Sequence, residues 1–345
     1  MIRYTELKTI NRQKLKEVLP LAKPFTVLIE PSSLCNFRCI QCFQSLKTDN
    51  YFTKNRMNMP LTCFRLVIKQ LQDWPGPKIK VLKLSLYGEP LIHPDFCEML
   101  KIAKEADVSE RIETTTNASL LTEQIAAKLV VYQLDYIRVS IYSPFQQKHE
   151  EITGSTIDIR KIHDNLKSLQ DIKRHVGSER PFIATKMLDA YGQENDAFFK
   201  MYKDVADEVY IDKPHNWIKT GTKKFTDALY QDNCSKKMND DIRAGTVPRI
   251  SCTMPFTTMA VRSNGDVSPC CVDFIGGTNL GNVASNNLQY LWSSDAWHKF
   301  MVMQLEGRKH ENASCARCDF YMSSHYTKDN IDGLDVQKLK STPKR

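Results

Sequence analysis

Cys35, Cys39 and Cys42 fall within one short stretch, Cys35-Asn36-Phe37-Arg38-Cys39-Ile40-Gln41-Cys42, directly after an apolar run at 25–30. Three thiolates on one loop can each cap one iron of a [4Fe–4S] cube and leave the last iron open to a small molecule. A structural zinc site normally takes four ligands, usually as two CxxC-like pairs, so a lone triplet before a cysteine-poor stretch argues for a cluster with a reactive vertex. Reduced core cysteines or a partial zinc site are the alternatives.

A second group comprises Cys252, Cys270, Cys271, Cys315 and Cys318. Apolar runs at 257–262 and 267–270 flank Ser263-Asn264-Gly265-Asp266, and Asn-Gly between such runs signals a hairpin because both residues tolerate positive φ. A hairpin brings its ends together, so Cys252 and Cys270 can converge, while Cys315-Ala316-Arg317-Cys318 is a compact chelating pair. Four thiolates would close a site completely, and a zinc ribbon would satisfy the same spacing. Cys271 is left over, either a buried core thiol or a hydrogen-atom donor.

These loops need a scaffold, and the chain is long enough to supply one. Its 345 residues, 41% hydrophobic and 26% charged, suit one large α/β domain and a smaller one. No apolar run reaches the roughly 20 residues that span a bilayer, and the first residues lack a signal-peptide core, so a cytoplasmic protein away from membranes is expected. Eleven cysteines, an odd number in clusters, suit metal ligation in a reducing compartment better than disulfides. The formal charge of +8 is spread along the chain, which allows an anionic substrate and gives no basic–aromatic pattern for nucleic acid.

Apolar patterning predicts strands at 25–30, 81–86, 111–115, 136–141, 182–188 and 208–211. Helices are predicted between them at 61–74, 95–106, 122–132, 159–172 and 194–206, after a short one at 12–21. Alternation of this kind implies right-handed crossovers and a parallel sheet, with ligands at the carboxyl ends of its strands. The cysteine loop follows the first strand. The expected division is a helical extension at 1–24, a barrel at 25–213, a linker at 214–250, a hairpin-plus-helix domain at 251–325 with its helix at 288–303, and a loosely ordered tail at 326–345.

The Cys35–Cys42 motif resembles that of the radical S-adenosylmethionine (SAM) enzymes. Cys252-Thr253-Met254-Pro255-Phe256, the Asn264–Cys271 turn, Leu280-Gly281-Asn282 and the final CxxC together resemble the SPASM extension, or its shortened twitch form. The resemblance, over about 25–320, implies a partial (βα)6 TIM-like barrel with a small auxiliary-cluster domain. It also implies that SAM is chelated by the open iron of the cluster on Cys35, Cys39 and Cys42 and cleaved to a 5′-deoxyadenosyl radical. Because no cysteine follows Cys318, one auxiliary [4Fe–4S] cluster is expected on Cys252, Cys270, Cys315 and Cys318, as in enzymes of the 2-deoxy-scyllo-inosamine dehydrogenase type. Leu86-Tyr87-Gly88-Glu89-Pro90 is similar to the family's GGEP loop, which implies SAM contacts at Gly88, Glu89 and Pro90, with Tyr87 in place of a glycine. Thr115, Asn117 and Ser140 match further cofactor positions at strand ends. Gln41 stands where an aromatic is usual, and Phe37 is the nearby ring that could compensate.

The reading that follows is a two-electron oxidation of a hydroxyl-bearing carbon in a small, sugar-like or anionic molecule. An external one-electron donor such as flavodoxin or ferredoxin would be needed, and the auxiliary cluster would accept an electron. Proton acceptors are His215, Lys219 and Lys186, with His215 first because histidine titrates nearest neutral pH and Asn216 and Trp217 beside it to line a pocket. The alternatives are modification of a ribosomal peptide, against which the N-terminal segment is too short for leader recognition; epimerisation with Cys271 or Cys234 as hydrogen donor; and a non-catalytic electron carrier.

Overall fold

A computed structural model describes residues 13–45, 54–213, 240, 248–323 and 327–340. Its strands form one sheet in the order β6-β5-β4-β3-β2-β1-β7-β8-β9. The first six are β1 (Thr26–Ile29), β2 (Ile79–Leu84), β3 (Ser109–Thr116), β4 (Tyr136–Ser140), β5 (Phe182–Leu188) and β6 (Glu208–Asp212), each parallel to the next. This is the parallel sheet expected of alternating strands and helices, in the partial TIM-like barrel that the resemblance implies. Residues paired across a parallel ladder share a face, so Lys83 beside Glu113, Thr115 beside Arg138 and Ser140 beside Lys186 all point to the barrel interior. Their neighbours Leu82, Leu84, Ile137, Val139, Ile183 and Met187 point outward and are buried.

Helices cover that outer face for reasons visible in the sequence. Leu61–Asp73 turns Phe64, Val67, Ile68 and Leu71 to the sheet, and Pro75-Gly76-Pro77 follows its end. Thr122 caps Glu123–Val131 by accepting from the Ile125 amide, and Asp158 caps Ile159–His175 by accepting from that of Arg160. Gln146–Thr153 has no counterpart in the periodicity because it is mostly polar, burying only His149, Ile152 and Thr153.

The hairpin forms as expected, with β7 (Thr258–Val261) antiparallel to β8 (Asp266–Ser268) and β9 (Gly281–Asn282) beyond. It is not a free-standing unit, because β7 lies parallel beside β1 with Val27 opposite Met259 and Ile29 opposite Val261. The single helix expected at 288–303 is two, Leu288–Trp292 and Asp295–Leu305, divided where Ser294 caps the second by accepting from the Trp297 amide. Trp297 is fully buried and donates from Nε1 to the Pro255 carbonyl at 2.8 Å.

The loosely ordered tail needs correction. Ile331, Leu334 and Leu339 are buried with Leu15, Leu19 and Phe256, so this segment packs onto the short N-terminal helix Leu15–Val18. The Asp332 carboxylate fixes it there by accepting from the amides of Ile250 and Ser251.

Candidate iron–sulfur and cofactor site

The cysteine loop leaves β1 and is held by backbone on two sides. Arg38 and Ile40 donate to the Thr153 and Ile152 carbonyls at 2.7 and 2.8 Å, so the polar helix Gln146–Thr153 anchors the loop. On the other side Glu89 donates to the Leu34 carbonyl at 2.8 Å. Gly88 is indispensable here, since a Cβ would lie 2.2 Å from the Ser32 carbonyl oxygen and 2.5 Å from that of Leu34. The close approach the glycine permits is thus to the backbone leading into Cys35.

The three sulfurs interact electrostatically with one another, and burial pushes the Cys35 thiol up to about 11, the Cys42 thiol up to about 12 and the Cys39 thiol further up. Yet donors are aimed at them. The Phe37 amide points at Cys35 Sγ at 3.4 Å, the Gln44 amide at Cys42 Sγ at 3.5 Å, and the Tyr142 hydroxyl hydrogen-bonds to Cys39. These donors, with the Arg38 and Arg56 guanidiniums near Cys35 and Cys42, favour thiolate, while burial opposes it, and iron bound to the sulfurs would offset that cost. Among the described residues no three Cys, His, Asp or Glu side chains crowd closely enough to wrap a single metal ion.

The residues matched to SAM contacts surround this loop. Glu89 is buried, and its carboxylate accepts from the Leu91 amide at 3.1 Å, the Thr116 hydroxyl at 2.6 Å and the Asn117 amide at 2.7 Å. Burial raises its pKa to about 7, against the pull of those donors. Pro90 opens the short 3-10 turn that Glu89 caps. Asn117 donates from Nδ2 to Asn36 Oδ1 at 2.9 Å, which braces the loop between Cys35 and Cys39. Gln41 Oε1 and Thr115 Oγ1 are buried without a hydrogen-bond partner, and Ser140 lies on the interior face beside Lys186. Two orphaned oxygens flanking the loop fit a polar ligand. Phe37 is different: it is 1% exposed, wedged edge-on against Tyr142 and His149, and leaves no open face to stack on adenine.

The second group converges from distant segments. Cys252 interacts electrostatically with Cys315 and Cys318, and Cys270 with Cys252. Burial raises all of them, Cys315 to about 11, while donors again point at sulfur: the Val272 amide at Cys270 and the Phe320 amide at Cys318, both at 3.4 Å, and Gln304 Nε2 at Cys315 at 3.5 Å. Cys271 lies against Met254 Sδ at 3.7 Å and interacts with Lys83 of the barrel.

Sequence reasoning missed the residue that assembles this site. Asp273 accepts from the Thr278 amide at 2.7 Å and its hydroxyl at 2.6 Å, from the Ser314 hydroxyl at 2.5 Å, and from the Gly276 amide at 2.9 Å. It thereby ties the loop after Cys270 to the residue preceding Cys315, and its charge is met by buried Arg262 at 3.4 Å. Its place two residues past a Cys-Cys pair and before Gly276-Gly277 was the available signal.

The two sites also touch. Phe43, next to Cys42, stacks on Phe274 with centroids 5.3 Å apart and planes 1° from parallel, and Tyr87 meets Phe43 edge-on at 4.9 Å. Arg262 lies over the Tyr87 ring at 5.2 Å. This accounts for an aromatic where the family loop has glycine. Glu30, buried at the end of β1, accepts from the Tyr87 amide at 3.2 Å and the Ser263 amide at 3.0 Å, joining the Gly88–Glu89 loop to the hairpin. Of the expected proton acceptors, Lys186 lies in the barrel 3.2 Å from Asp212, while His215 and Lys219, with Asn216, Trp217 and Cys234, lie outside the described residues.

Residues 29–184 match the Radical SAM superfamily, and residues 252–319 match SPASM, an iron–sulfur cluster-binding domain. The chain therefore carries a radical SAM domain followed by a C-terminal SPASM domain. The first domain binds a [4Fe–4S] cluster and SAM, and the second binds auxiliary iron–sulfur clusters. Its solved structural relatives include BtrN in complex with AdoMet and 2-DOIA, at 18% identity and TM-score 0.54, covering 88% of this chain and 97% of that one. Streptococcus suis SuiB bound to precursor peptide SuiA matches at 17% identity and TM-score 0.61, covering 90% and 73%. These share the fold. Among curated proteins, the tungsten-containing aldehyde ferredoxin oxidoreductase cofactor-modifying protein of Pyrococcus furiosus is 23% identical over 46% of this chain and 42% of its own length. GTP 3′,8-cyclase of Chlorobaculum tepidum is 31% identical over 37% and 36%. The chain spans less than half the length of either. No helix among the described residues is long and apolar enough to cross a membrane.

Proposed function

We propose that this radical SAM enzyme oxidises a hydroxyl-bearing carbon of a small polar molecule by two electrons. The observation that supports the reading is that Cys252 interacts electrostatically with Cys315 and Cys318, and Cys270 with Cys252; a cube held by all four would offer no open corner to a ligand. A closed cluster can take an electron without binding substrate. BtrN, a 2-deoxy-scyllo-inosamine dehydrogenase of the same fold, supports it. When bound, the first cluster and SAM supply a 5′-deoxyadenosyl radical that takes a hydrogen atom from the substrate carbon.

The assignments to this chain are as follows. Cys35, Cys39 and Cys42 hold the SAM cluster, and Glu89, Thr115, Asn117 and Ser140 face its ligand. Gly88 and Pro90 shape the loop, and the orphaned Gln41 oxygen is a further contact. The hydroxyl proton leaves to the Lys186–Asp212 pair. Of this pair, 3.2 Å apart, the Asp212 carboxylate is the acceptor, since an ammonium has no free lone pair.

One observation favours a second reading. The Cys271 thiol, outside the quartet, reaches toward barrel residue Lys83, where it could return a hydrogen atom in an epimerisation. Anaerobic turnover of Cys271→Ala with SAM, reductant and a panel of polyols, sugars and peptides separates the cases. Oxidised product formed in step with 5′-deoxyadenosine is expected. Loss of product with continued 5′-deoxyadenosine would establish the epimerase, and no 5′-deoxyadenosine from the wild type with any substrate would leave an electron carrier.

A further inference from the structure

The interior face of β2 to β5 carries charges of which the proposed oxidation uses only Lys186. Outward Leu82, Leu84, Val139 and Met187 are at most 1% exposed, yet Lys83, Thr115, Arg138, Ser140 and Lys186 on the inner face are only half-buried. Side chains filling a closed barrel would be buried on both faces, so this interior is open. Below it the barrel is plugged by Tyr136, Phe182, Ala184 and Tyr210.

Three cations from three strands meet in that space. Lys83 is repelled by both Arg138 and Lys186 and attracted by Glu113. The carboxylates nearby have partners: Glu113 is 2.6 Å from Arg111, and Asp212 is 3.2 Å from Lys186. Glu208 faces the same interior beside Ala184, one step nearer the plug than Lys186. Among the described residues Lys83 itself has no ion pair or hydrogen bond. Enclosure and like charge press its ammonium down to about 8, a cost that an anion between the cations removes and that a neutral or cationic ligand does not. Lys83 lies within β2, before the strand ends at Leu84, so it sits deeper than the Gly88–Glu89 loop assigned to SAM, with Thr115 in register beside Arg138 and Ser140 beside Lys186 between the two.

We propose that the substrate carries an oxyanion, a phosphate ester or carboxylate, seated on Lys83 with Arg138 and Lys186 to either side. This rests on the oxidation reading for the site and narrows its substrate to acidic sugars and sugar phosphates, excluding ammonium-bearing aminocyclitols. Lysine and arginine bind such groups by charge-assisted hydrogen bonds, and an open barrel with an apolar plug leaves the rest of the molecule facing the SAM site.

The test is calorimetric binding to the reconstituted, SAM-loaded full chain, using glucose, glucosamine, glucose 6-phosphate, gluconate and inorganic phosphate as probes. An oxyanion probe is expected to bind at least tenfold more tightly than glucose or glucosamine, and the stronger of glucose 6-phosphate and gluconate names the source. Lys83→Met should weaken it tenfold or more and leave SAM affinity unchanged, while Lys83→Arg retains it. Lys186→Met serves as the second variant if Lys83→Met does not fold. Equal binding of charged and neutral probes, or Lys83→Met acting on SAM instead, overturns the anion site. Oxidation of a neutral polyol without anion binding would sink this inference and spare the dehydrogenase; anion binding without oxidation of any hydroxyl substrate would do the reverse.

Discussion

The two cysteine sites solve different problems. The triplet sits on one loop, which its neighbours Asn117, Glu89 and the helix Gln146–Thr153 hold in place. The quartet is drawn from three segments up to 66 residues apart in the chain, Cys252 to Cys318, and depends on Asp273 to bring them together. A local site can spare a corner for chemistry because the loop folds without it. A non-local site uses every ligand as a staple, in keeping with the electron-accepting role proposed for it.

The largest expected effect follows from that contrast. Replacing Cys35, Cys39 and Cys42 by Ala should remove about four of about eight irons and abolish SAM cleavage, whereas the same change at the quartet removes a similar share of iron and leaves SAM cleavage uncoupled from product. Iron counting and 5′-deoxyadenosine assays read both, and equal loss of cleavage in the two variants would erase the distinction. Next, Asp273→Ala removes a buried ion pair with Arg262 and the hydrogen bonds from Thr278, Ser314 and Gly276, and should cost about 3–5 kcal/mol in denaturant unfolding, with iron lost from the auxiliary site first. Gly88→Ala should cost about 1–3 kcal/mol by overpacking against Ser32 and Leu34, and its spectroscopic signature should appear in the SAM cluster alone. The smallest effect is at the contact between the sites: a double-mutant cycle on Phe43→Leu and Phe274→Leu should give a coupling of about 0.5–1.5 kcal/mol, and zero coupling would make the sites independent.

The same locality decides what could be read from the chain. Six strands and the helices between them follow from apolar patterning, and Cys35 to Cys42 follows from spacing, since both signals lie within a few residues. The pairing of β7 with β1 leaves no such mark, because parallel neighbours over 200 positions apart are matched by tertiary packing. The helix Gln146–Thr153 was hidden by its polarity, although it anchors the cysteine loop. Ile331, Leu334 and Leu339 looked like tail because a docked segment with so few apolar residues is legible only beside its groove. Phe37 carried the right ring and the wrong orientation, and chemistry alone could not tell which way it points. Asp273 and Glu30 act by joining loops, a role that becomes visible only when the loops are adjacent.

Because β7 runs alongside β1, the barrel's first strand is an interior member of the sheet. A chain ending after Lys213 would expose the backbone donors and acceptors of Thr26–Ile29 as a raw edge, beside apolar Val27 and Ile29, and such edges recruit strands from other molecules. The isolated barrel should therefore self-associate and precipitate, and solubility of this enzyme is a property of both halves together.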